Sequence, residues 1–229
     1  YAGVKVISEM QPGRITTLEI ELSRNALTAW YAAIPAEARE NTNPSILKME
    51  NISFSYDGVR QILDDISFDI RAGEMISIVG KNGAGKSTLS KLLCGFEKED
   101  RGAILYKGEN VKTKTIKERA EIIGLVMQNP NQMISKPMIY DEVALGLRLR
   151  SVSEEEIAER VEKVLKVCGL APFKSWPISA LSYGQKKRVT IASILVLDPK
   201  IIILDEPTAG QDFRHYTEIM EFLVEINKL

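Results

Sequence analysis

The chain has 229 residues, room for one large domain or one and a part. Its 30 lysines and arginines nearly balance 31 aspartates and glutamates, which excludes a strong overall field that would recruit nucleic acid or anionic lipid. The longest apolar stretches, Ile191 to Leu197 and Ile201 to Leu204, fall well short of the roughly 20 residues that span a bilayer, and the N-terminus has no cleavable signal pattern. Any membrane connection therefore comes through a partner.

In chain order, residues 1 to 44 read differently from the rest. Ile15 to Leu22 alternates like a strand, Ser23 to Ala33 suits a capped helix, and Glu37 to Pro44 looks like a linker. From Ile46 to Ile70, alternating stretches such as Leu47 to Glu50 and Ile66 to Ile70 flank the turn Asp57-Gly58, as in an antiparallel sheet. Ala103 to Tyr106, closed by Lys107-Gly108, adds a further strand. Ile122 to Met127 is a short apolar run of the kind buried in parallel sheets. Ser153 with Glu156 has the form of a capping box ahead of a helix. One face of that helix carries Ile157, Val161, Val164, Leu165 and Cys168, and the other carries the pairs Glu156–Arg160, Glu159–Lys163 and Glu162–Lys166. Lys200 to Pro207 reads as a central parallel strand, Ile201 to Leu204, that runs into two carboxylates. The spacing of Ile219, Phe222, Leu223 and Ile226 predicts a closing helix packed on the core. Cys94 and Cys168 stand far apart, without metal-ligand or redox spacing and in apolar contexts, which fits buried thiols in a reducing, cytosolic compartment.

The most specific signal is Gly80-Lys81-Asn82-Gly83-Ala84-Gly85-Lys86-Ser87-Thr88, which follows the apolar segment Met75 to Val79 and precedes Leu89 to Leu93. It fits the pattern G-x-x-x-x-G-K-[ST]: glycines let successive backbone N–H groups turn toward phosphates, the lysine reaches the β and γ phosphates, and Ser87 can ligate Mg²⁺. Ligands in open α/β sheets gather at the carboxyl ends of strands, so Asp205 and Glu206 are expected beside this loop.

Three segments in order, 80 to 88, Leu181-Ser182-Tyr183-Gly184-Gln185, and Ile201 to Pro207, together resemble an ABC-type ATPase nucleotide-binding domain over roughly residues 46 to 229. The resemblance implies an α/β P-loop NTPase fold with a parallel-sheet core, an antiparallel β subdomain and an α-helical signature subdomain. It implies ATP and Mg²⁺ as ligands, with the phosphate loop from Gly80 to Thr88 as the Walker A segment. Tyr56 matches the aromatic that stacks on adenine, Gln128 the glutamine that reaches Mg²⁺ and the attacking water, Asp205 the Mg²⁺ carboxylate of the Walker B strand, and Glu206 the general base. Ser182, Gly184 and Gln185 fall in the signature that contacts the ATP of a second ABC domain, and Asp212 fits the loop that couples the two sites. That second domain is implied as another copy, a different chain or part of the same one.

Tyr183 stands where the family more often has glycine, and is similar in this to the energy-coupling-factor branch of importers. The family's γ-phosphate histidine falls one strand beyond the last helix, past Leu229, and His215 follows the Asp212 loop too closely to be that residue. The expectation is a fragment whose first 44 residues are the tail of a preceding domain or a linker, followed by an ABC ATPase domain over 45–229. Met127 to Gln132 and Tyr140 to Leu147 resemble the importer segment that faces the coupling helices of a membrane subunit. The resemblance thus implies an ATPase at the cytoplasmic face of the membrane that energises uptake of a small nutrient, vitamin or metal ion. Its partners would be a transmembrane scaffold and a substrate-binding membrane subunit. The alternative is a soluble ABC protein that acts on ribosomes or DNA, against which stand the lack of long basic insertions and of coiled-coil heptads.

Overall fold

The computed structural model describes residues 4–8, 10–11, 14–15, 43–81, 83–207 and 213–227. The chain divides into two compact units, Tyr1–Thr115 and Ile116–Leu229.

In the first unit an antiparallel sheet has the order β5-β4-β7-β8, built from β4 (Ser45–Ser55), β5 (Gln61–Arg71), β7 (Arg101–Tyr106) and β8 (Glu109–Asn110). The predicted strands are present and longer than their alternating cores. At the Asp57-Gly58 turn, the Asp57 carboxylate accepts from the N–H groups of Val59 and Arg60, and Gly58 takes φ +71°. Strand β4 buries Leu47 and Met49, then Ile52 and Phe54, a change from odd to even positions along one strand. A bulge at Asn51 (φ +50°) makes this possible: one extra residue resets the alternation, so both pairs stay on buried positions.

The same unit holds β6 (Met75–Val79) and helix α1 (Lys86–Cys94), the strand and helix on either side of the phosphate loop. Strand β1 (Val4–Ser8) pairs in parallel with β6, Val4 opposite Met75 through Ser8 opposite Val79. Short strands β2 (Met10–Gln11) and β3 (Arg14–Ile15) form an antiparallel pair. The predicted strand over 15 to 22 thus overlaps β3 only at Ile15; the rest of it, and the predicted helix from Ser23 to Ala33, lie outside the described residues.

In the second unit β9 (Ile123–Val126) and β10 (Ile201–Leu204) pair in parallel, Ile123 opposite Ile201 and Val126 opposite Leu204. Among the described residues β10 has β9 as its strand neighbour, and Ile202, Ile203 and Leu204 stay half-buried rather than enclosed as the central-strand expectation required. Gly124 lets β9 approach its neighbours closely, since a Cβ there would lie 2.2 Å from Cγ2 of Ile194.

Helix α2 (Ile116–Ala120) precedes β9; between the two strands run α3 (Ile139–Leu149), α4 (Glu154–Val167) and α5 (Tyr183–Leu195), and α6 (Phe213–Asn227) follows β10. The buried residues Ile139, Val143, Leu147, Ile157, Val161, Leu165, Val189 and Ile191 supply the apolar faces of α3, α4 and α5. Buried Glu142 of α3 holds the loop before that helix, because one carboxylate oxygen accepts from the N–H groups of Ser135 and Lys136 at 2.8 and 2.7 Å.

The capping box expected on α4 is only half made. The Ser153 hydroxyl accepts from the Glu156 N–H, but the Glu156 side chain turns outward to Arg160 at 3.2 Å, where an ion pair replaces the reciprocal bond. Glu162 pairs with Lys166 as expected and also with Lys174, while Glu159 and Lys163 close no ion pair among the described residues. Ile219, Phe222 and Leu223 of α6 are buried, as their spacing predicted.

Both cysteines are buried free thiols. Burial pushes the Cys168 thiol up to about 12 from an ordinary 9.0, with Arg188 acting in the opposite sense. The folded chain keeps this thiol protonated where the unfolded chain ionises it, so its contribution is whole below pH 9.0 and is lost as pH rises toward 12. Raising pH from 8 to 10 is expected to cost the parent about 1.4 kcal/mol more than a Cys168→Ala variant, read from urea midpoints at the two pH values.

Candidate functional site

The phosphate loop occupies the link from β6 to α1. Gly83 (φ +82°) and Gly85 (φ +94°) adopt the left-handed backbone that glycine tolerates, and Gly85 is the N-cap of α1. A Cβ on Gly85 would lie 2.8 Å from Cδ2 of Leu63 and 3.2 Å from the Ile62 carbonyl oxygen, whereas one on Gly83 would meet open space. One glycine therefore seats the loop on β5, and the other leaves its mouth clear. Ala84 N–H donates to the Lys81 carbonyl at 3.1 Å, which closes the turn.

The Lys86 ammonium folds over the loop and donates to the carbonyls of Gly80 at 2.7 Å and Lys81 at 3.1 Å. Lys81 and Ser87 are exposed, Thr88 is buried, and Asn82 lies outside the described residues. Tyr56 joins this group: its hydroxyl lies 3.3 Å from the Thr88 hydroxyl oxygen, its ring meets Phe54 edge-on at 4.9 Å, and the Lys91 ammonium stands 5.7 Å from the ring centre. The ring itself is half exposed, open to a stacking partner. An open glycine mouth, a lysine held over it and an exposed aromatic fit a nucleoside phosphate.

A second cluster sits at the carboxyl ends of β9 and β10. The Asp205 N–H donates to the Val126 carbonyl at 2.9 Å, which extends the parallel ladder one residue past β10 and sets the two strand ends level. Gln128 and Glu206, one from each strand end and 78 positions apart in sequence, meet through a bond from the Gln128 amide to the Glu206 carboxylate at 2.7 Å. Glu206 takes φ +44° directly before Pro207, a conformation that costs energy for a residue with a Cβ and more so before proline. Strain of this kind persists where the surroundings fix the residue, and it aims this carboxylate at the strand end.

Helix α5 begins at Ser182, whose hydroxyl accepts from the Gln185 N–H at 3.3 Å while the Gln185 side chain accepts from the Ser182 N–H at 2.9 Å. That reciprocal box holds the signature segment at the helix N-terminus, and Gln185 spends its side-chain oxygen inside it. A Cβ at Gly184 would meet nothing within 4 Å, so its backbone stands open. Asp212 lies outside the described residues.

Lys187 is the residue that sequence reasoning missed. It is 1% exposed, its ammonium donates to the Gln128 carbonyl at 2.6 Å and approaches the Glu206 carbonyl at 3.5 Å, and the Tyr183 hydroxyl donates to the same Gln128 carbonyl at 3.3 Å. Burial lowers its pKa, opposed by the carboxylates of Asp205 and Glu206. Within Lys186-Lys187-Arg188 it looks like one more solvated cation; the available signal was its place four residues before buried Ile191, on the inward stripe of α5.

Among the described residues no group of three or more His, Cys, Asp or Glu could hold a metal unaided. At the strand ends of the second unit Gln128 and Asp205 offer oxygen donors, one of them a carboxylate, of the kind that suits a Mg²⁺ ion bound largely through substrate phosphates. No described helix is long and apolar enough to cross a membrane.

Residues 63–209 match the ABC transporter family, and residues 1–54 match a family described as ATP-binding cassette cobalt transporter. ABC transporter ATP-binding proteins of Clostridium perfringens and Enterococcus faecalis are 57% and 55% identical over 100% of this chain, which spans 40% of their length. Of solved structures, cbiO1 from Clostridium perfringens, part of the ABC transporter complex cbiONQ, superposes with a TM-score of 0.77 at 40% identity, over 80% of this chain and 74% of that one. The ADP conformation of MJ1267, an ATP-binding cassette of an ABC transporter, gives 0.73 at 28% identity over 81% and 78%. By this family match, these relatives and this likeness of fold, the chain belongs to the ABC transporter ATP-binding family.

Proposed function

We propose that, in the full-length protein, this chain binds ATP and hydrolyses it to drive uptake of a small nutrient, of the vitamin or metal-ion class, through a membrane partner complex. The observation that carries the hydrolytic part is the 2.7 Å bond between the Gln128 amide and the Glu206 carboxylate at level strand ends. It leaves Glu206 able to accept a proton from water and Gln128 able to orient that water.

In this reading Gly80, Lys81, Asn82, Gly83, Ala84, Gly85, Lys86, Ser87 and Thr88 bind phosphate, and Tyr56 stacks on the base. Ser87, Gln128 and Asp205 hold Mg²⁺, which when bound offsets negative charge on phosphate oxygens. Ser182, Gly184 and Gln185 present an α-helix N-terminus to the nucleotide of a second ABC domain, and Asp212 couples the two sites.

Residues 1–44 are the tail of a preceding domain, or a linker, ahead of the ABC ATPase domain over 45–229. The match of residues 1–54 to a separate family, and relatives much longer than this chain, support that division. The cobalt-transporter description of that family, and the cbiONQ complex to which cbiO1 belongs, favour metal ions within the nutrient class.

The test is affinity purification of the full-length protein from detergent-solubilised membranes, with mass spectrometry of what accompanies it. Recovery of a multi-span scaffold and a small hydrophobic subunit is expected. Recovery of ribosomal or DNA-repair proteins from the soluble fraction instead would overturn the uptake reading.

A further inference from the structure

Resting on the hydrolytic reading above, we infer that Tyr183 and Lys187 are positioning residues, which clasp the Gln128 carbonyl from one side of α5 and thereby set the Gln128–Glu206 pair in its working geometry. The two side chains stand one helical turn apart, and both donate to one oxygen, at 3.3 Å from the tyrosine hydroxyl and 2.6 Å from the ammonium. A carbonyl oxygen has two lone pairs, so this pair of donors fills its capacity. Gln128 is then held at both ends, by its carbonyl to α5 and by its amide to Glu206 at 2.7 Å.

Lys187 also reaches the carbonyl of Glu206 at 3.5 Å, so one buried cation touches the backbone of both residues in the pair. A cation that is 1% exposed and loses these acceptors would be left buried without partners, which makes the arrangement stiff. Tyr183 supplies a donor that glycine at this position lacks. The first turns of α5 therefore do two things at once: they present Ser182 and Gly184 outward, and they fix Gln128 from within. A shift of the signature helix would move the water-orienting glutamine with it.

The experiment uses the full-length protein and reads the kcat and KM of ATP hydrolysis, the affinity for a fluorescent ATP analogue and the thermal midpoint. Lys187→Met keeps side-chain length and burial but removes the donors; kcat is expected to fall about tenfold, with KM and nucleotide affinity within about twofold of the parent. Lys187→Arg, which keeps cationic donors, is expected to recover most of that loss. Tyr183→Phe, which removes one neutral donor, is expected to lower kcat about threefold.

Because Lys187 acts through Gln128, combining Lys187→Met with Gln128→Ala should lose no more than Gln128→Ala alone. An unchanged kcat in Lys187→Met, losses that multiply in the double variant, or a loss of kcat that merely tracks a lowered thermal midpoint would each overturn the assignment. Glu206→Gln run alongside keeps the two readings apart. If it hydrolyses at the parent rate the hydrolytic reading falls, and if it is inactive while Lys187→Met is normal only the positioning role falls.

Discussion

Glu206→Gln in the full-length protein is expected to lower steady-state ATP turnover by about 10²–10⁴-fold, the range that a positioned general base contributes, while nucleotide affinity stays near that of the parent. The substitution is close to isosteric, and the new amide still offers an oxygen to the Gln128 amide that now donates at 2.7 Å. What it removes is the capacity to take a proton. The backbone at φ +44° is unfavourable for either side chain, so it does not distinguish the two variants and stability should change little. Turnover assays paired with equilibrium binding of an ATP analogue decide the matter: full turnover would remove Glu206 from the chemistry, and lost binding would place it in nucleotide capture.

Gly102→Ala is expected to produce the largest stability loss in the first unit, about 3–5 kcal/mol, from a strained left-handed backbone together with overpacking. Gly102 has φ +86°, and a Cβ there would lie 2.2 Å from the Glu50 carbonyl oxygen and 2.5 Å from that of Asn51. Those atoms are backbone, part of the bulge that keeps Leu47, Met49, Ile52 and Phe54 buried on one strand, and they cannot swing aside as a side-chain tip can. The sheet must either shift register or give up the bulge. Buried Cys94 in the same unit is a built-in reporter: its alkylation, followed by peptide mass spectrometry, should speed up by about 10² or more, since each 1.4 kcal/mol is about tenfold. Unchanged protection of Cys94 would show that the bulge absorbs a methyl group.

The parts of the fold that could be read from residues are those where short-range pattern and chemistry coincide. The phosphate loop announces itself because only glycine at Gly83 and Gly85 permits the observed backbone, and β9 and β10 are apolar runs of strand length that end in polar groups. The closing helix follows from the spacing of Ile219, Phe222 and Leu223.

What escaped was decided by partners distant in sequence. Lys187 looks like a surface cation until the Gln128 carbonyl, 59 positions away, is seen to receive it. Glu156 fits a capping box by spacing alone, yet Arg160 competes for the same carboxylate and prevails. Strand β1 drew no attention because β6, which completes it, lies in a different part of the chain. The resetting bulge at Asn51 is equally invisible, as it depends on the neighbouring strand for its room.

The separation of Gln128 from Glu206 also has a meaning for biosynthesis. Chains leave the ribosome at about 5–20 residues per second, so β9 waits on the order of 4–15 s before β10 exists to pair with it. During that interval an apolar strand with unpaired edges is exposed while α3, α4 and α5 emerge and pack. Joining the strand ends then means closing a loop of 78 positions, an entropic cost of about 4 kcal/mol that falls on the final pairing step. The cluster that holds Gln128 and Glu206 is therefore finished only after β10 has emerged, and a slow or paused ribosome over the codons for residues 127 to 200 would prolong the period in which this strand edge is open to aggregation or chaperone capture.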